Sequence, residues 1–158
     1  MSRASDSTRR DDPFDLNRFL EAQEGVFEQA LSELRTGQKR GHWMWFIFPQ
    51  LEGLGHSPTT QYYAIKSFEE ARVYLDHPVL GQRLRACAEV LLEIEGRSAM
   101  EIFGHPDILK LRSSMTLFAC IADEPGSVFD RVLDAYYQGE EDARTLQLLE
   151  HLKGTAPH

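Results

Sequence analysis

The chain has 158 residues, 42% of them hydrophobic, enough for one compact domain that buries roughly 70% of the surface its unfolded form exposes. Its 17 Lys and Arg stand against 25 Asp and Glu, a formal charge of -8, and that field opposes bulk DNA or RNA and anionic membrane surfaces as partners. No window of about 20 apolar residues can span a membrane, and the N-terminus lacks the apolar run of a signal peptide, so a cytoplasmic location is expected.

Residues 1 to 12 mix Ser, Arg and Asp with almost nothing apolar, which predicts a disordered tail ahead of one helical domain over 13–153. Asp15 is a candidate cap for a first short helix bearing Leu16, Phe19 and Leu20. Val26, Phe27, Ala30, Leu31 and Leu34 then form an apolar stripe at helical spacing that ends at Gly37.

The run His42-Trp43-Met44-Trp45-Phe46-Ile47-Phe48-Pro49-Gln50 holds both tryptophans of the chain. It is too bulky to lie on a soluble surface without leaving a large apolar patch, so it belongs to the core or to a pocket wall. Periodicity alone allows strand or helix. A short helix ended by Pro49 is the better reading, because no partner strand exists elsewhere. The two tryptophans then point roughly 200° apart, one inward and one toward a pocket. Leu51 to Thr60 reads as a polar, glycine-bearing loop, and loops of that length often carry function.

Gln61 to Ile65 is a short apolar-aromatic piece, and Ser67-Phe68-Glu69-Glu70 has the form of a capping box opening a helix to about Leu75. His77-Pro78 breaks the chain. Leu80, Leu84, Cys87, Leu91 and Ile94 mark the clearest amphipathic helix. Gly96 stops it, and Ser98 caps a brief turn to Phe103. Pro106 and Asp107 suit the first turn of a helix running to about Cys120. Ser127 opens another with Phe129, Val132, Leu133 and Tyr137 inward, and Asp142 caps the last. The expected fold is all-α, one compact multihelical domain of about seven to nine helices with no significant β-sheet. Cys87 and Cys120 read as buried reduced thiols.

Three polar groupings carry possible chemistry. In the loop Gly53 to Gln61, Gly55 allows close backbone approach, and Ser57 with Gln61 and free N–H groups near a helix start can hold a phosphate or carboxylate. The plain alternative is an ordinary capped loop; a P-loop is excluded because no Gly-Lys-Ser/Thr follows. Asp107, Lys110 and Ser114 stand at i, +3 and +7 on one helix face, while Arg112 points elsewhere. A lysine between an aspartate and a hydroxyl suits anion binding or proton transfer; the alternative is a simple i,+3 ion pair. The six histidines show no metal spacing and no Cys-x-x-Cys accompanies them, so no metal and no cofactor is expected.

The aromatic run, Gly53-Leu54-Gly55, Tyr74-Leu75-x-His77-Pro78-x-Leu80-Gly81, Ile102-Phe103-Gly104-x-Pro106-Asp107-x-x-Lys110-Leu111-x-Ser113-Ser114-Met115-Thr116-Leu117-Phe118 and Gly139-x-x-Asp142 resemble the bacterial domain-of-unknown-function 1810 family over about Phe14 to Leu152. The resemblance implies a small multihelical domain and no established reaction. Some members bear the label calpastatin, but that inhibitor is a disordered, lysine- and proline-rich chain, whereas this one has a core. The family is similar, more distantly, to the NADAR group, which acts on ADP-ribose held through an N-glycosidic bond. No NADAR catalytic residue aligns here, so the likeness brings a reaction class and no residue.

Two functional readings follow. In the first, a small anionic or nucleotide-like ligand stacks on Trp43, Trp45 or Tyr62 beside His42. The 53–61 loop, Arg112 and Ser114 hold its polar groups, and Asp107 with Lys110 performs acid–base work such as N-glycosidic hydrolysis. In the second, the domain is a non-enzymatic helical interaction module whose exposed aromatic residues meet a protein partner.

Overall fold

The computed structural model describes the backbone of residues 12–155 and the side chains of residues 12–153. Among them are ten helices and no strand. In chain order these are α1 (Asn17–Gln23), α2 (Phe27–Arg35), α3 (Met44–Ile47), α4 (Pro58–Tyr63), α5 (Phe68–Asp76), α6 (Leu80–Glu93), α7 (Ala99–Phe103), α8 (Asp107–Ala122), α9 (Val128–Tyr137) and α10 (Ala143–Thr155). The helix beyond the expected seven to nine is α4. It lies where the sequence reads as loop, yet it has a regular start: Ser57 Oγ accepts from Thr60 N, and Pro58 occupies the first turn.

Helix α8 is the axis of the domain and packs against α5, α7, α9 and α10. That position explains its composition. Leu111, Met115, Leu117, Phe118 and Ile121 are buried in different directions around the helix, as a helix covered on several sides requires. Its buried hydroxyls are largely tied: Thr116 Oγ1 donates to Arg112 O, Ser113 Oγ donates to Leu109 O, and Thr116 Oγ1 accepts from Asp142 N. Asp142 caps α10 by accepting from Thr145 N, and the same carboxylate oxygen accepts from Ser113 Oγ.

Helix α6 lies against α2, α5 and α9. The α5–α6 corner is so tight that a Cβ on Gly81 would stand 1.9 Å from Leu75 O, so only glycine fits there. The expected stripe on α6 is buried at Leu80, Leu84, Cys87 and Leu91, whereas Ile94 sits at the helix end, half-buried.

Four local expectations change. The first helix is capped by Asp12, whose carboxylate accepts from Leu16 N and Asn17 N, while Asp15 takes a left-handed φ of 53° in the turn; of the tail expected for residues 1 to 12, Asp12 thus packs with the domain, and residues 1 to 11 lie outside the described residues. The Ser67–Glu70 pair makes only half of a capping box, because Glu70 turns to Arg18 and to Lys66 N. The full box is Ser98–Glu101. The segment after Pro49 is not all loop: Leu51 and Ile65 form an isolated parallel bridge, with Glu52 N donating to Ile65 O and Ile65 N to Gln50 O.

Arg18 and Glu70 are a buried ion pair at 2.7 Å. All five guanidinium N–H groups of Arg18 are used: on Tyr62 O, Phe14 O, Asp15 O, Ala64 O and Glu70 Oε2. A buried charge is tolerated when every donor is satisfied in this way. The pair joins α1 to the α4–α5 connection. The thiols are free, Cys87 buried and Cys120 half-buried. Burial pushes Cys87 up to about 12, which disfavours a nucleophilic thiolate. No helix among the described residues is long and apolar enough to cross a membrane.

The aromatic segment does organise the core. Trp43 is 1% exposed and Phe48 fully buried, while Trp45, on the opposite side of the short helix α3, is half-buried. Trp43→Ala should therefore cost about 3–5 kcal/mol, and Trp45→Ala clearly less, as read by chemical denaturation; equal losses would place both indoles in the core.

Candidate functional site

The polar side chains that converge do so at the start of α8. Asp107 Oδ2 lies 2.8 Å from Lys39 Nζ, and Asp107 Oδ1 lies 3.5 Å from Lys110 Nζ. The two ammonium groups thus share one carboxylate from opposite sides. Side-chain exposure is 8% for Lys39, 18% for Asp107 and 20% for Lys110, so the group is shielded from water far more than a surface ion pair.

The two lysines differ in how they are held. Lys39 Nζ also donates to Gly41 O and sits 5.0 Å from the Trp43 ring centroid. Lys110 Nζ sits 4.7 Å from the Trp45 ring centroid and, among the described residues, makes no hydrogen bond. Each lysine therefore rests on one of the two tryptophans. Lys39 Nζ is committed to Gly41 O and Asp107 Oδ2, while Lys110 keeps its donors open.

Lys39 is brought in by a loop that Glu33 folds. Glu33 Oε1 accepts from Arg40 N at 2.8 Å, Gly41 N at 2.8 Å and Trp43 Nε1 at 2.9 Å, and Glu33 Oε2 accepts from Gln29 Nε2. Lys39 N is meanwhile fixed by Ile102 O on α7. Burial acts to raise the Glu33 carboxyl, but the N–H groups of Gly41 and Arg40, with Gln29 and Trp43, outweigh it and hold the group at about 2 against an ordinary 4.5.

Trp45 is the junction with the 50–64 segment. Its other surroundings are Gln50, Leu51, Thr60, Tyr63 and Ala64, which enclose a niche of about 10 Å³, room for a single water. Trp45 Nε1 is buried with no protein partner among the described residues, and so is the hydroxyl of Ser114, one turn beyond Lys110 on the same face of α8. Neither has its usual hydrogen bond.

The remaining candidates are placed elsewhere or are engaged. Ser57 Oγ is spent on capping α4 and on Thr60 Oγ1, and Gln61 Nε2 donates to His56 O. Gly55 packs against Thr60. His42 is exposed. Tyr62 is 53% exposed and lines a separate concavity of about 420 Å³ with Pro13, Phe14, Arg18 and Glu70. Arg112 lies 3.9 Å from both Glu140 and Asp142 and 6.0 Å from the Tyr137 ring centroid, so its charge is directed at two carboxylates rather than at Trp45. The N–H groups of Ile108, Leu109 and Lys110 in the first turn of α8 are already taken by Gly104 O and Pro106 O. Anion binding there rests on side chains. No cluster of His, Cys, Asp and Glu among the described residues could hold a metal ion.

Residues 13–149 match the family described as a protein of unknown function, DUF1810. The chain belongs to this family. A solved relative, the conserved hypothetical protein Rv1873 from Mycobacterium tuberculosis, is 55% identical and superposes with a TM-score of 0.85 over 88% of this chain and 99% of its own. No curated protein matches. Membership in DUF1810 thus fixes the fold and leaves the activity to be argued from the site itself.

Because the folded-state carboxyl of Glu33 is depressed, its contribution to stability is complete above about 4.5 and is lost as pH falls from there toward about 2. Melting temperatures of wild type and Glu33→Gln followed across that window should converge as pH falls. A constant difference at every pH would show that the carboxylate does not organise the 39–43 loop.

Proposed function

We propose that this domain binds a small anionic, nucleotide-like ligand at Lys110, with Trp45 as the wall against which a planar part of that ligand rests. The single observation behind this reading is the state of Lys110: an ammonium group at the end of a side chain 20% exposed, 3.5 Å from Asp107 and held on an indole, with three N–H donors and no hydrogen bond among the described residues. Its open N–H donors suit the acceptor oxygens of an oxyanion, with which an ammonium makes strong, charge-assisted hydrogen bonds.

Binding is better supported than catalysis. Asp107 faces a lysine on each oxygen, which suits a fixed counter-charge more than a base or an oxocarbenium-stabilising carboxylate. Hydrolysis of an N-glycosidic bond remains the reaction class to assay, because of the likeness to the NADAR group. The interaction-module reading is favoured by one observation: roomier concavities lie away from Trp45, one of about 680 Å³ bounded by His77, Arg85 and Glu89.

A thermal-shift screen with ADP-ribose, NAD and nucleotides separates the two. A ligand at 100 times its dissociation constant stabilises by about 2.7 kcal/mol. Lys110→Met keeps the stem and removes the charge, so it should weaken binding by about 1.5–3 kcal/mol in calorimetry while stability changes little. Equal affinities of the two proteins would remove Lys110 from the site and leave the interaction module as the better account.

A further inference from the structure

We infer that the concavity beside Tyr62 is a second binding site, fitted to a zwitterion that carries a planar ring, the chemistry of a free aromatic amino acid. Its lining includes neither Trp45 nor Lys110, so it does not rest on the reading of Lys110. The floor is the ion pair of Arg18 and Glu70, whose side chains are 4% and 3% exposed. Each residue of the rim has its backbone tied to that pair. Arg18 donates to Phe14 O, Asp15 O and Tyr62 O, and Glu70 Oε1 accepts from Lys66 N. The walls come from separate stretches of chain, yet one guanidinium and one carboxylate fix their separation. Burying two charges contributes little stability in itself; what this pair supplies is the shape of the concavity. A space of about 420 Å³ framed in this way is formed before any ligand arrives, and little ordering cost then opposes binding.

The floor has no donor left for a ligand, because all the guanidinium N–H groups of Arg18 are engaged. The rim does. It presents the exposed carboxylate of Asp15, the exposed ammonium of Lys66, half-buried Phe14 and exposed Tyr62. Among the described residues, neither the Asp15 nor the Lys66 side chain makes an ion pair or a hydrogen bond. Two opposite charges therefore border one concavity without neutralising each other. A ligand with an ammonium and a carboxylate closes both pairs at once, and its ring gains aromatic contact at Phe14 or Tyr62. The charged residues of the lining are Asp15, Arg18, Lys66 and Glu70, and their formal charges cancel. A ligand of zero net charge leaves no excess of either sign, whereas an anion or a cation leaves one rim charge unmatched.

L-Tryptophan, glycine and N-acetyl-L-tryptophanamide test the inference on the full chain at about pH 6, where α-amino groups are charged. Glycine has both charges and no ring, the blocked amide the ring and no charge. Dissociation constants follow from titrating the backbone amide resonances of residues 14–18 and 62–67. Wild type should bind L-tryptophan more tightly than either control, by about fivefold or more. Lys66→Gln and Asp15→Asn each remove one exposed charge, and asparagine tolerates the left-handed φ of 53° at position 15. Each should weaken L-tryptophan about threefold. Lys66→Gln should leave L-tryptophanamide, which has only the ammonium, unchanged, and Asp15→Asn should do the same for N-acetyl-L-tryptophan, which has only the carboxylate. Equal affinities of L-tryptophan and the blocked amide would overturn the zwitterion and leave a surface that takes an aromatic side chain of a protein partner. No saturable shift, or shifts confined to residues 107–112, would overturn the site. If a variant does not fold, the wild-type comparison of the three probes decides the inference.

Discussion

One carboxylate shared unequally by two lysines governs the architecture of the candidate site. Asp107 is drawn to Lys39 at 2.8 Å and left at 3.5 Å from Lys110. The imbalance has a cause in the surroundings. Lys39 is seated by Gly41 O and the Trp43 ring, its backbone N–H is bound to α7, and its loop is gathered by Glu33. It has little freedom to move toward any other partner. Lys110 is a residue of α8 itself, its ammonium at the end of a long flexible stem lying on Trp45. An acid–indole–base–acid–base–indole sequence thus runs from Glu33 through Trp43, Lys39, Asp107 and Lys110 to Trp45. The donors left over, those of Lys110 and the Trp45 indole N–H, lie together at its outer end.

The helices around this sequence hold it in place without entering it. On one side of the domain, Arg18 fastens α1 to the α4–α5 connection by spending all its donors, and removing either Arg18 or Glu70 would strand a buried charge. Tilted and edge-to-face ring contacts run inward from there, Tyr63 to Phe19, Phe19 to Tyr74, Tyr74 to Phe118 and Phe118 to Phe129, reaching α8 at Phe118. At the other side, Asp142 ties α10 to Ser113 and Thr116. Helix α8 is thereby fixed along its length, and its first turn, which carries Asp107 and Lys110, is held in register with the 39–45 segment.

What the sequence made legible was whatever depends on local spacing. Helical stripes, the Ser98, Ser127 and Asp142 caps and the opposed directions of Trp43 and Trp45 all follow from neighbours within a turn or two. The ion pair Asp107–Lys110 is of that kind as well. Lys39 and Glu33 escaped notice because neither lies on a periodic stripe, and their roles rest on contacts 68 residues apart for Lys39 with Asp107, or on a loop conformation for Glu33. Arg18 and Glu70, 52 residues apart, were hidden for the same reason. Glu70 even carried a local signal, three residues after Ser67, that pointed to the wrong partner. Helix α4 was obscured because its Gly-rich approach resembles a functional loop, although Ser57-Pro58 marks an ordinary helix start. In each case long-range pairing overrode or completed a local pattern.

The inequality of the two lysines is open to direct observation through their side-chain ammonium groups. Nitrogen-15 spectra at low temperature resolve such groups when their protons exchange slowly. The Lys39 ammonium should be visible, protected from exchange and unmoved by added dimethyl phosphate. The Lys110 ammonium should exchange rapidly in the free protein and become protected, with a shifted resonance, as the anion saturates. Two equally protected ammonium groups that ignore the anion would mean that Asp107 satisfies both lysines, and that no open donor waits beside Trp45.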